Sequence, residues 1–182
     1  MAPKSKDWLL LFGIVTLLAV VCALLYIFTV PHLKTYKSEK LNVEFAYPSS
    51  WYLKDYVSTY GFIVVSPDPI QDDVYSESHI RIGLNKCTNT DTGETFPCEK
   101  SVTERVTFFK DIYPRTFRQI TVMVRNKKMT QIEGGYPEES NRKYQKDTVF
   151  PDHSYLLVVS TGSREKKVIQ IYNKLVKTVR VF

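Results

Sequence analysis

From Trp8 to Val30 the chain runs through twenty-three consecutive residues without a charge, and no other feature limits its architecture so strongly. A helix of that length reaches about 35 Å, enough to cross a bilayer with some tilt. A helix of a soluble core would keep one polar face, and this run has none. Trp8 and Tyr26 near its ends, with Lys4, Lys6 and Lys34 beyond them, fit the aromatic belt and snorkelling cations of a bilayer interface. The expected partner of residues 8–30 is therefore the lipid bilayer, with residues 1–7 as a short arm before it.

The run exceeds the apolar region of a cleaved signal peptide and leaves through Thr29-Val30-Pro31-His32, which is not a small-x-small cleavage site. Ala19-Val20-Val21-Cys22 puts valine where a lipoprotein signal needs Gly or Ala, so Cys22 is expected as a small apolar residue in lipid. An uncleaved, single-pass signal anchor is the expectation. The flanking lysines do not set its direction, since Lys4 and Lys6 face Lys34, Lys37 and Lys40. Cys87 and Cys98 do: they enclose a polar stretch rich in turn residues, and an even pair suits an oxidising compartment. A disulfide there would stabilise the domain by roughly 3 kcal/mol in the chain-entropy model. It implies a cytoplasmic N-terminus and an extracytoplasmic C-terminal domain at the cell membrane, whereas two free thiols in a cytosolic loop would remove that support for the orientation.

Residues 31–182 hold 23 of the 25 Lys and Arg and 18 of the 19 Asp and Glu, a mildly basic formal +5. About 150 residues bury one good core, so one domain is expected. Residues 31–40, polar and poor in large apolar side chains, read as a juxtamembrane stalk, and residues 41–182 as the domain. Leu41, Val43, Phe45 and Tyr47 alternate with smaller or polar residues, the period of a strand with one buried face, which Pro48 ends. Further strands are expected over Gly61–Ser66 and Ser78–Leu84. Ser101-Val-Thr-Glu104 has the form of a capping box opening a helix over Arg105–Tyr113. Strands follow over Gln119–Arg125 and Met129–Glu133, with Lys127-Lys128 as their turn and Gly134-Gly135 as the next. Tyr136–Lys146 reads as a loop. Ser154–Ser160 is the most hydrophobic strand and so is expected at the centre of the sheet. Glu165–Lys177 sets Val168, Tyr172, Leu175 and Val179 at helical spacing, with Ile169 and Val176 beside them. A short strand, Thr178–Phe182, closes the chain.

Tyr36-Lys-Ser-Glu-Lys-Leu-Asn-Val-Glu-Phe-Ala-Tyr-Pro-Ser-Ser-Trp51, a hydrophobic strand running into Val65-Ser-Pro67, and a last helix ending Leu175-Val-Lys-Thr-Val-Arg-Val181 together resemble the PsbP-like domain. The resemblance covers Tyr36 to Phe182, with Val179 and Val181 where that family more often has Phe. It implies an α+β fold, an antiparallel β-sheet flanked by α-helices. Function does not follow from it, because the family spans an extrinsic photosystem II subunit, a Ran-binding nuclear import factor and membrane-anchored bacterial proteins of unknown role. The anchor makes the last type the nearest analogue.

Recognisable catalytic chemistry is missing from the sequence. His32, His79 and His153 share no metal-ligand spacing with one another or with the cysteines, so no metal site is expected. Ser66, Ser160 and Ser163 lack a Gly-x-Ser-x-Gly setting, and Gly134-Gly135 lacks phosphate-loop spacing, so no cofactor is expected. Asn89, Asp91 and Glu94 around Gly93 fail the EF-hand register. Asp68, Asp72 and Asp73 read as a solvated acidic loop. Lys127, Lys128, Arg142, Lys143, Lys146, Arg164, Lys166 and Lys167 are the candidates for one basic interaction face, with Tyr136 and Tyr144 nearby for stacking. At +5 such a face suits anionic lipid or an anionic envelope polymer better than nucleic acid. The reading that emerges is a membrane-tethered, non-enzymatic accessory domain outside the cytoplasm that binds an envelope protein or anionic polymer. Behind it stand a small-ligand binding or sensing domain using a cleft between sheet and helix, and then a hydrolytic enzyme.

Overall fold

The computed structural model describes residues 5–29, 32–70, 79–86, 98–135, 144–152 and 155–182. They form two units, Met1–His32 and Leu33–Phe182.

The first unit is one unbroken helix, α1 (Ser5–Thr29). Trp8, Leu11, Phe12, Ile14, Val15, Leu17, Leu18, Val20 and Val21 are all exposed on it. Successive residues turn by about 100°, so these side chains point to every side of the helix. Thr16 returns its hydroxyl to the Phe12 carbonyl at 2.8 Å, which spares that donor a partner elsewhere. Among the described residues no helix is long and apolar enough to cross a membrane. The uninterrupted described side chains of α1 run only from Leu11 to Cys22, so the span from Trp8 to Val30 rests on the sequence.

The second unit is α+β. Its strands are β1 (Leu33–Ser38), β2 (Val43–Pro48), β3 (Tyr52–Asp55), β4 (Phe62–Ser66), β5 (Ile80–Lys86), β6 (Arg118–Val124), β7 (Lys127–Gly135), β8 (Tyr144–Asp152), β9 (Tyr155–Thr161) and β10 (Arg180–Val181). Its helices are α2 (Val57–Tyr60), α3 (Cys98–Ile112) and α4 (Lys166–Thr178). Every described pairing is antiparallel, in a small sheet ordered β1-β2-β10 and a larger one ordered β3-β4-β5-β9-β8-β7-β6. Strand β9 occupies the middle of the larger sheet, as its apolar run Leu156-Leu-Val-Val159 leads one to expect.

One face of the larger sheet carries the main core. Ile63, Val65, Ile80, Ile82, Leu157 and Val159 meet Val168, Tyr172, Leu175 and Val176 of α4 and Val43, Phe45 and Trp51 from the region of the small sheet. Burying each such side chain contributes about 1.5–3 kcal/mol. Tyr172 is fully buried, and its hydroxyl meets Thr148 Oγ1 at 2.8 Å and the Val159 carbonyl at 2.9 Å. Helix α3 covers part of the opposite face, where Val102 packs on Val149, Leu156 and Val158.

Five local expectations are corrected. The segment expected as a stalk contains β1, paired from Leu33↔Pro48 to Ser38↔Val43. Its polar composition is that of an edge strand, and Tyr36 donates a short hydrogen bond to Asp55 that ties it to β3. Helix α3 begins at Cys98, so Ser101 and Glu104 lie inside it and Glu104 faces Lys100 at 3.8 Å instead of capping. The β6–β7 turn falls on Arg125 and Asn126, both with positive φ of 47° and 65°, and Lys127-Lys128 already belong to β7. Gly134 and Gly135 continue that strand. The end of the expected loop, from Tyr144 on, is strand β8.

Candidate functional site

The pleat sorts polar residues of the larger sheet onto its two faces. In register, Arg81 lies opposite Ser160, and Ser160 opposite Asp147, so these three share the α3 face. Asp147 is completely buried and receives Arg105 Nε at 2.8 Å and Nη2 at 2.5 Å on a single oxygen. Gln145 Nε2 adds contacts of 3.1 and 3.2 Å to the two oxygens. Burial pushes the Asp147 carboxyl up, against the opposing pull of Arg105 and Gln145.

Beside this cluster the α3 face hollows into a pocket of about 260 Å³. Arg81, Arg105, Gln145 and Ser160 supply its polar lining, and Tyr60, Phe62 and Val158 its apolar walls. The Arg81 guanidinium lies 4.5 Å from the centre of the Phe62 ring, and Tyr60 stacks on Phe62 at 5.9 Å and 20°. Arg81 Nε is buried and has no hydrogen-bond partner among the described residues. His79, two residues earlier, is lowered to about 4 by burial and then by the Arg81 charge, so it is neutral at pH 7.

The members of the predicted basic face that lie among the described residues stand at separate places in the domain. Lys127 and Lys128 stand at the start of β7, while Gly135 at its other end pairs with Tyr144. Eight residues of strand separate those ends by about 27 Å. Lys146 is buried and committed to Glu133 at 3.2 Å, over the Tyr172 ring. Arg164, Lys166 and Lys167 do come together before and within the first turn of α4, with Arg164 5.7 Å from the Tyr144 ring centre. Arg164 also lines a cavity of about 370 Å³ with Arg118, Glu133 and Tyr144. There burial and Glu133 push the Tyr144 hydroxyl up, and it donates to Glu133 at 3.3 Å. Arg142, Lys143, Cys87, the side chain of Cys98, the loop with Asn89, Asp91 and Glu94, and Asp72 and Asp73 lie outside the described residues. Among the described residues no three His, Cys, Asp or Glu side chains converge as metal ligands.

Strand β6 is a feature that its sequence alone did not single out. It pairs with β7 on one side, and as the last strand of the sheet it has no neighbour on the other among the described residues. From Gln119 to Val124 it bears no charge. Ile120 is 51% and Met123 55% exposed, on opposite faces, while Val122 and Val124 turn into the core. An edge of this kind offers a row of unpaired backbone donors and acceptors, and proteins ordinarily blunt such edges with Lys, Pro or a bulge.

No family model matches the chain, and no curated protein matches it. Among solved structures it is similar to the solution structure of cyanobacterial PsbP (CyanoP) from Synechocystis, at 12% identity and a TM-score of 0.51 over 84% of this chain and 94% of that one. A crystal structure from Bacteroides thetaiotaomicron aligns at 13% identity and a TM-score of 0.48, over 82% of this chain and 48% of that one. The domain has the PsbP-like fold.

Proposed function

We propose that the chain is a membrane-tethered, non-enzymatic accessory domain outside the cytoplasm, which holds an envelope protein by accepting one of its extended segments along β6. The observation that carries this reading is the outer edge of β6, uncharged from Gln119 to Val124, without a neighbouring strand among the described residues and bearing exposed Ile120 and Met123. Backbone hydrogen bonds from a partner strand would supply affinity, and the two apolar side chains on alternate faces would supply register. The tether is α1, with its apolar side chains exposed on all sides, and the lipid bilayer is the partner those side chains suit. The outward orientation rests on the pairing of Cys87 with Cys98.

The test places a photo-crosslinking residue at Thr121 of the full chain in intact cells. One discrete adduct is expected, and Ile120→Lys with Met123→Lys should abolish it while leaving the thermal midpoint in place. An adduct pattern indifferent to those two lysines would refute strand addition. For the tether, a membrane-impermeant thiol reagent that labels Cys87 and Cys98 only from the cytoplasmic side would refute the orientation.

A further inference from the structure

We propose that the pocket beneath α3 binds a small organic monocarboxylate, with Arg81 as its anchoring residue. The proposal is independent of the β6 edge, since this pocket is lined from α2, β4, β5, α3, β8 and β9, and β6, which lines none of it, closes the far end of the sheet.

Arg81 is placed as a receptor for an oxyanion. Its guanidinium carbon lies 4.5 Å from the Phe62 ring centre, a cation–π contact that holds the charge at the pocket wall. Its Nε is buried without a hydrogen-bond partner among the described residues. Buried donors in native proteins are almost always satisfied, by protein, by water or by a ligand. A guanidinium fork matches a carboxylate with two parallel hydrogen bonds.

The charge count selects a monoanion. Arg105, the second guanidinium on the pocket, directs Nε and Nη2 to Asp147, so its charge is already balanced. His79 is neutral at pH 7. That leaves the single charge of Arg81, and a dianionic phosphate would bring a second negative charge towards the Asp147 carboxylate.

The walls select an apolar body. Tyr60, Phe62 and Val158 form them, with Ser160 as the polar group a substituent would meet and Gln145 held towards Asp147 through its Nε2. Gly83 shares the Arg81 face, and a Cβ there would stand 3.2 Å from Phe62 Cβ, in the wall of the pocket. The volume of about 260 Å³ falls below the usual range for drug-sized ligands, roughly 300–1,000 Å³, which suits a compact planar acid.

The experiment is calorimetric titration of the full chain in detergent with benzoate, and separately with inorganic phosphate. Saturable benzoate binding, weaker phosphate binding, and a loss of affinity for benzoate of about tenfold or more in Arg81→Met are expected. Tyr60→Ala, at an exposed position that leaves the core untouched, should weaken benzoate by a smaller factor, about threefold, and stands as the second variant should Arg81→Met fail to fold. Absence of saturable benzoate heat, tighter binding of phosphate, or unchanged affinity in these variants would each overturn the assignment. Because Ile120→Lys with Met123→Lys leaves this pocket intact, loss of partner capture in that variant and loss of benzoate binding in Arg81→Met report on separate sites.

Discussion

Arg105 and Asp147 meet through two nitrogens on one carboxylate oxygen, 2.8 and 2.5 Å away, and this pair fastens α3 to β8. The carboxylate is fully buried while the guanidinium side chain remains about one quarter exposed. Removing the arginine therefore strands a buried charge, at a cost of about 3–5 kcal/mol at neutral pH. The Asp147 carboxyl is raised overall, burial being the largest cause. A raised folded-state value means that its contribution to stability is present below the ordinary carboxylate range and lost as pH rises through the folded value. Arg105→Leu should accordingly lose more stability at about pH 8 than at about pH 5, as urea denaturation at the two values would reveal. An equal loss at both would show that the stranded carboxylate is not the source.

His79 titrates in the opposite sense. Its folded value, about 4, lies below the ordinary 6.5, so the unfolded chain takes up the proton first and the stabilisation is lost as pH falls from 6.5 towards 4. An NMR titration should place the imidazole midpoint near 4. Burial is the larger cause and Arg81 the smaller, so Arg81→Met should move the midpoint up without returning it to the ordinary value. His79→Gln should flatten the stability profile across this window. A midpoint near the ordinary value in the unaltered chain would mean that the ring is solvated.

The order of the central elements was legible because apolar side chains betray burial directly. Ile63 to Val65, Ile80 with Ile82, and Leu156 to Val159 are strands whose inward residues can be counted from the chain. Strand β8 was not legible, and the reason lies in its partners. Lys146, Asp147 and Thr148 are buried, yet each is polar, because Glu133, Arg105 and Gln131 satisfy them from elements far away in sequence. A local pattern cannot show a polar residue whose partner arrives with the fold. Strand β1 escaped for a related reason, since it is the outer strand of its sheet and its lysines face water. The same applies to the candidate sites. Arg81, Arg105 and Ser160 are unremarkable singly, and only the β5–β9 pairing with α3 laid across it brings them to one pocket. The β6 edge depends on strand order, which pattern alone does not fix.

Gly134 is held by the Tyr113 ring. A Cβ on Gly134 would come within 2.5 to 2.7 Å of Tyr113 Cδ2, Cβ and Cγ, closer than packed carbons allow, so the ring and the strand backbone touch only because a glycine stands there. Gly134→Ala should destabilise the domain by about 1–3 kcal/mol, the usual cost of overpacking. Tyr113→Ala in the same chain should recover most of that overpacking loss, and a double-mutant cycle read by thermal denaturation would show the coupling. Strictly additive losses would place the strain elsewhere.

The β6–β7 hairpin turns on Arg125 and Asn126, both in the left-handed region. Two-residue hairpins of this kind favour Asn then Gly, because arginine carries a Cβ penalty there of about 1–2 kcal/mol and asparagine a smaller one. Arg125 offsets part of its penalty by donating Nη2 to the Thr178 carbonyl at the end of α4, a long bond of 3.3 Å at an exposed site, worth about 0.5–1.5 kcal/mol at most. Arg125→Asn combined with Asn126→Gly should therefore raise stability by up to about 1 kcal/mol, measurable as a higher midpoint in thermal denaturation. A midpoint that falls instead would mean that the bond to Thr178 outweighs the turn. The bond, and not the turn sequence, would then be what holds the open edge of β6 against the body of the domain.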